Sequence, residues 1–132
     1  MNTKDLNYTV TFKALPSEVY SALMDPEKHA EFTEAPAEIS QDVGGKFSLH
    51  GGYIFGENIE LVKDKKIVQS WRTHSWKPED HYSTVTFLIE PDPEGTSLTF
   101  SHTGIPEENF DSISAGWCSH YWEPMEKYFV KK

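Results

Sequence analysis

Six histidines, one cysteine and a scatter of serines are the residues of this chain whose types could do chemistry. His29, His50, His74, His81, His102 and His120 include no pair at the H-x3-H spacing of a zinc site, and Cys118 has no second thiol to work with. The spacing therefore predicts neither a metal centre nor an intrachain disulfide. A Ser–His–Asp relay would need a serine presented on a sharp turn, and no Gly-x-Ser-x-Gly elbow occurs. Cys118 falls in a helical pattern, where a lone cysteine reads as a small buried hydrophobe rather than a nucleophile. No catalytic residue is expected.

His102 is the more informative histidine. It alternates with Leu98 and Phe100, so it shares their inward face. Such a histidine is either a buried ring bonded to a backbone carbonyl or a polar group that orients a ligand in an apolar cavity. Ile67, Gln69 and Trp71 share a face in the same way, as do Ser83, Val85, Phe87 and Ile89. Phe47, Trp71, Phe87, Phe100, Trp117 and Tyr121 are then candidate walls of one interior space. Gln69, Ser83 and His102 are its candidate polar groups. Trp76 is either packed within its loop or an exposed aromatic anchor for a partner.

The elements that must position these residues follow from periodicity. Tyr8, Val10, Phe12 and Ala14 alternate as a half-buried strand. Pro16 opens a short helix carrying Val19, Ala22 and Leu23, and Asp25-Pro26 caps and starts a second, to about Phe32. Five strands follow: Lys46–His50, Tyr53–Val62, Lys66–Thr73, Tyr82–Glu90 and Thr96–Thr103. They are separated by Gly51-Gly52, Lys63-Asp64-Lys65, Lys77-Pro78-Glu79-Asp80 and Pro91-Asp92-Pro93-Glu94-Gly95. Short connections make neighbours antiparallel. The facing of 53–62 is ambiguous, and a bulge at Gly56 would reconcile its two apolar sets. From Pro106 to Lys132, Ile113, Trp117, Tyr121, Met125 and Phe129 recur every four residues, the mark of one long helix, with Pro124 bending it about one turn earlier. Glu107, Glu108 and Asp111 sit near its start, where the helix dipole favours acids.

This order predicts a single α+β helix-grip domain over residues 1–132. A curved antiparallel sheet of about six strands wraps one long C-terminal helix, and two short helices close one end. The stretch "FTEAPAEISQDVGGKFSLHGG" links those helices to the sheet, and its role is architectural.

Composition limits the partners. The chain has 132 residues, a formal charge of -9 and 14% aromatic residues. Without a basic stripe it is a poor partner for nucleic acid or an anionic membrane surface. No apolar run reaches the roughly 18 residues of a spanning helix. The N-terminus lacks the apolar core of a signal peptide, so a cytoplasmic location is expected.

Five segments carry a resemblance: "FTEAPAEISQDVGGKFSL", "IVQSWR", "SWKPEDHYSTVTF", "TGIPEENF" and "GWCSHYWEPMEKYF". Together, from about Tyr8 to Phe129, they resemble the C-terminal domain of the activator of heat-shock protein 90 ATPase. That family lies within the START-like (SRPBCC) superfamily of helix-grip ligand-binding domains. The resemblance implies the fold and, as one function, modulation of a heat-shock protein 90 chaperone through surface contacts. The eukaryotic co-chaperones it resembles carry an additional N-terminal domain, and here only seven residues precede Tyr8. The leading expectation is therefore non-catalytic binding of a small apolar or aromatic molecule between helix and sheet, with no cofactor. A chaperone partner is the alternative, and a cyclase- or hydrolase-like enzyme using the cavity is a third.

Overall fold

The computed structural model of the chain describes residues 3–77 and 80–130. β1 (Thr3–Phe12) leads into α1 (Pro16–Met24) and α2 (Pro26–Thr33). Six more strands follow: β2 (Ala37–Ile39), β3 (Lys46–Leu49), β4 (Ile54–Val62), β5 (Lys66–Thr73), β6 (Ser83–Asp92) and β7 (Gly95–Pro106). They form one seven-stranded antiparallel sheet in the order β1-β7-β6-β5-β4-β3-β2. The C-terminal helix runs as α3 (Phe110–Trp117), a π turn (Cys118–Trp122) and α4 (Glu123–Val130). Among the described residues no helix is long and apolar enough to cross a membrane.

The helix starts follow their capping signals. Asp25 Oδ1 accepts from the backbone N–H groups of Glu27 (2.9 Å) and Lys28 (3.2 Å), and Pro26 occupies the first helical position. The Glu18 carboxylate accepts from the Leu15 N–H at 2.9 Å, closing the start of α1. Alternation is strict in β5 and in most of β6, so Ile67, Gln69, Trp71, Ser83, Val85, Phe87 and Ile89 all face the helix.

The structure corrects several boundaries. A seventh strand, β2, pairs with β3 in the stretch expected to be only a connection. Three residues flanked by Pro36 and a polar run carry too little alternation to be read. His50 leaves β3 and enters a short 3-10 turn, with φ at 53°. Pro106 ends β7, and a 3-10 turn at Glu107–Asn109 precedes the helix. In β4 the inward set is Ile54, Gly56 and Asn58, and the register shift falls between Asn58 and Glu60 rather than at Gly56. A Cβ at Gly56 would strike the Ser70 carbonyl, so close strand approach explains that glycine. Cys118 is exposed, not buried, because it lies on the outer side of the π turn. The centre of the turn at 78–79 and the last two residues of the expected helix lie outside the described residues.

The connection from α2 into the sheet is fastened by one buried residue. Asn58 donates from its side chain to the carbonyls of Ser40 (2.7 Å) and Asp42 (3.1 Å). Its backbone N–H donates to Gly45 O (2.9 Å), and its carbonyl accepts from Gly44 N–H (2.8 Å). Gly44 has φ at 82°, a conformation glycine adopts without strain. Gln69 Nε2 donates to Asn58 Oδ1 at 3.0 Å, so the polar exception on the inner face of β5 is satisfied.

Candidate functional site: a cleft at one end of the helix

The core is an aromatic stack between helix and sheet. Trp117 packs on Phe100 (ring centroids 4.5 Å apart), on Tyr121 (4.6 Å) and on Trp71 (5.7 Å). His102 is fully buried at the centre and bonds to other side chains rather than to a backbone carbonyl. Trp117 Nε1–H donates to His102 Nδ1 at 3.0 Å. Nδ1 is therefore an acceptor, and Nε2 carries the proton toward the Ser83 hydroxyl at 2.7 Å. Ser83 in turn donates to the Trp71 carbonyl at 2.7 Å. The chain of donors runs one way, and burial holds the imidazole neutral, lowering its pKa to about 3.

His29 is arranged by the same logic. Its Nδ1 lies 3.2 Å from the Leu23 carbonyl and must be the donor, leaving Nε2 to accept from the Tyr121 hydroxyl at 2.9 Å. Burial lowers its pKa to about 4, against the raising effect of the Leu23 bond and with a smaller push from His50. Tyr121 is raised by burial.

The residues expected to wall one space are divided by the structure. Phe47, Gln69, Phe87 and the inner faces of Trp71, Trp117 and Tyr121 enclose only about 10 Å³, room for no more than one water. Phe100, Ser83 and His102 are packed behind them. The open volume, about 470 Å³, lies instead at one end of the helix–sheet contact. Trp71, Trp117 and Tyr121 line it; the other six expected residues do not. Its remaining walls come from the turn after β3 (His50), the start of β4 (Tyr53, Ile54), the end of β5 (Thr73, Ser75, Trp76) and one side of the helix (Ile113, Gly116, His120).

Trp76 is 4% exposed, so it is a packed wall and not a surface anchor. Arg72 holds its loop by donating to the carbonyls of Asp80 (2.8 Å), Lys77 (3.0 Å) and Trp76 (3.3 Å). The same guanidinium lies over the rings of Trp76 and Tyr82. Sequence periodicity could not find these walls, because most come from turns and from a helix side that is polar by pattern. The Trp71-Arg72 pair was the available signal, with one residue facing in and the next reaching across the outer face. The described residues hold no group of three or more potential metal ligands.

A curved antiparallel sheet gripping one long helix, with a cleft at the end of their contact, is the START-like helix-grip architecture. The profile of the family described as Activator of Hsp90 ATPase homolog 1-like protein matches residues 13–130, and the chain belongs to that family. The human activator of 90 kDa heat shock protein ATPase homolog 1 is 36% identical over 119 residues, covering 90% of this chain and 35% of the relative. The Dictyostelium discoideum homolog is 35% identical over 116 residues, covering 87% of this chain and 30% of the relative. The chain thus spans about a third of the length of the curated relatives it matches. A crystal structure of an HSP90 activator from Plasmodium falciparum superposes with a TM-score of 0.86 at 29% identity, over 94% of both chains.

Proposed function

We propose that the chain is a chaperone-modulating module that binds an Hsp90-type chaperone through its surface. The observation that carries this reading is the family match over residues 13–130, with relatives named as activators of Hsp90 ATPase. The tightly filled interior agrees with it, since a module that works by surface contact needs a rigid body rather than a deep cavity. Only 35% of the human relative is matched, so the module alone is expected to bind the chaperone with little stimulation of its ATPase. Titration of the labelled chain with purified Hsp90, followed by NMR and by ATP turnover, tests this. Shifts confined to surface residues with a small rate increase are expected. An unchanged spectrum under a large excess of chaperone sinks the reading.

The cleft favours a second reading, binding of a small apolar or aromatic molecule. About 470 Å³ walled by Trp71, Trp117, Ile54 and Ile113 falls within the usual range of small-molecule sites. On this reading Trp71, Trp117 and Tyr121 touch the ligand. Phe47, Gln69, Ser83, Phe87, Phe100 and His102 hold those walls in place from behind. On this reading the chain acts as a binder, and the two histidines buried beneath the cleft serve the walls, with their ring nitrogens committed to neighbours.

A further inference from the structure

The cleft has an unusual charge lining for this chain. The sequence carries 21 acidic and 12 basic residues, yet among the described residues no Asp, Glu, Lys or Arg lines the cleft. Its titratable groups are His50, His120, Tyr53 and Tyr121. Tyr121 is turned away to His29, and the Tyr53 hydroxyl is 3.0 Å from Ser75 Oγ. His50 and His120 remain. Their rings lie 5.7 Å apart, and neither makes a hydrogen bond to another described residue. His50 is held there by a backbone in the left-handed region, uncommon outside glycine, Asn and Asp, and His120 by the π turn, an irregularity that recurs at functional sites.

Two unsatisfied imidazoles facing each other repel once protonated, and among the described residues no carboxylate lines the cleft to offset that repulsion. An anion between them would accept from both rings. Among the described residues, the buried side-chain polar atom left without a hydrogen-bond partner is Trp76 Nε1, in the wall of the same cleft. That atom is closed off from the open space, so the cleft itself offers the two unmet imidazoles at its polar end and is apolar along Trp71, Ile113 and Trp117.

We propose that the occupant of the cleft is an aromatic carboxylate, its ring against Trp71 and Trp117 and its carboxylate between His50 and His120. This rests on the reading of the cleft as a ligand site and specifies what that ligand must carry. The apolar wall supplies affinity through area and ring contact, worth about 0.5–1.5 kcal/mol per aromatic pair beyond burial. The histidine pair supplies selection, since a neutral ligand of equal shape leaves both rings unmatched.

The test compares 2-naphthylacetate with 2-(2-naphthyl)ethanol, which share the ring and differ in the anionic group. Binding to the full chain is measured by calorimetry at pH 6.5, with amide shifts followed by NMR. The carboxylate is expected to bind about fivefold or more tighter, a modest advantage for a charge-assisted bond at a partly open mouth. In the double variant His50→Asn/His120→Gln that preference disappears while the alcohol binds within about twofold of its original affinity; Asn is chosen because it tolerates the left-handed backbone. Circular dichroism confirms that the variant is folded, and His120→Gln alone, with no backbone demand, is expected to halve the preference or more. Equal binding of the two probes, or a preference that survives the variants, overturns the carboxylate assignment and leaves the cleft as a neutral-ligand site. If neither probe shifts Ile113, Gly116 or Trp117, the ligand reading and this inference fall together.

Discussion

His102 and His29 each have both ring nitrogens occupied, and burial favours the neutral ring in both. Protonating His102 would turn Nδ1 into a donor facing the Trp117 N–H, which can only donate, and protonating His29 would put a charge in a buried site and force the Tyr121 hydroxyl to turn and accept. Both folded pKa values lie below the ordinary value of 6.5, at about 3 and about 4. The unfolded chain therefore binds these protons first. Their contribution to stability is complete above pH 6.5 and declines as pH falls from there toward the folded values, by up to about 1.4 kcal/mol per pH unit for each ring. Urea unfolding followed from pH 7 to pH 5 is expected to show a loss of about 2–4 kcal/mol. His102→Gln is expected to be less stable at pH 7 but to lose less between pH 7 and pH 5; a slope as steep as that of the unaltered chain would refute the assignment. Alternation was enough to place His102 inward beside Phe100. Its protonation state was not legible, because Ser83 and Trp117 reach it from another strand and from the helix.

The C-terminal helix shows how an element resolves a conflict written in its sequence. Ile113, Trp117, Tyr121, Met125 and Phe129 are all buried, although a uniform α-helix drifts about 40° for every four-residue step. The π turn at Cys118–Trp122 interrupts that drift and brings Trp122 inside beside Tyr121. The Glu123 N–H bonds to the Cys118 carbonyl, five residues back, and Pro124, which has no N–H to offer, follows in the next turn. The strict period of four and the proline were both visible, but a wider turn and a simple bend predict the same pattern. Strands with clean alternation, β5 and β6, were legible almost to their ends. β2 was not, because three residues paired only through β3 have no periodicity of their own. The Trp117 ring is the keystone of the helix–sheet contact, and Trp117→Ala is expected to cost about 3–5 kcal/mol in chemical denaturation. A cost under about 1 kcal/mol would show that the ring contributes little to the fold.

At the scale of the whole molecule, the fold was legible because six of seven strands and the helices left a trace of periodicity or capping, while the cleft was not, because its walls are ends and turns. The sheet order places β1 beside β7, far apart in the chain: Thr3 pairs with Pro106 and Phe12 with Thr96. Among the described residues β1 has no other strand to pair with, since it forms one edge of the sheet. During synthesis it must therefore wait for nearly a hundred further residues to be added, about 5–20 seconds at ordinary elongation rates. Through that interval Phe12 has no partner in Phe129 and the inner face of the sheet has no helix to cover it. Closure of the sheet by β1 is thus expected late. A ribosome-held nascent chain arrested with residues 1–94 outside the exit tunnel is expected to be cut by protease along its whole length, whereas release of the complete helix is expected to bring protection in a single step. Stepwise protection, beginning with α1 and α2, would show that the first third of the chain can hold itself together before its neighbour in the sheet exists.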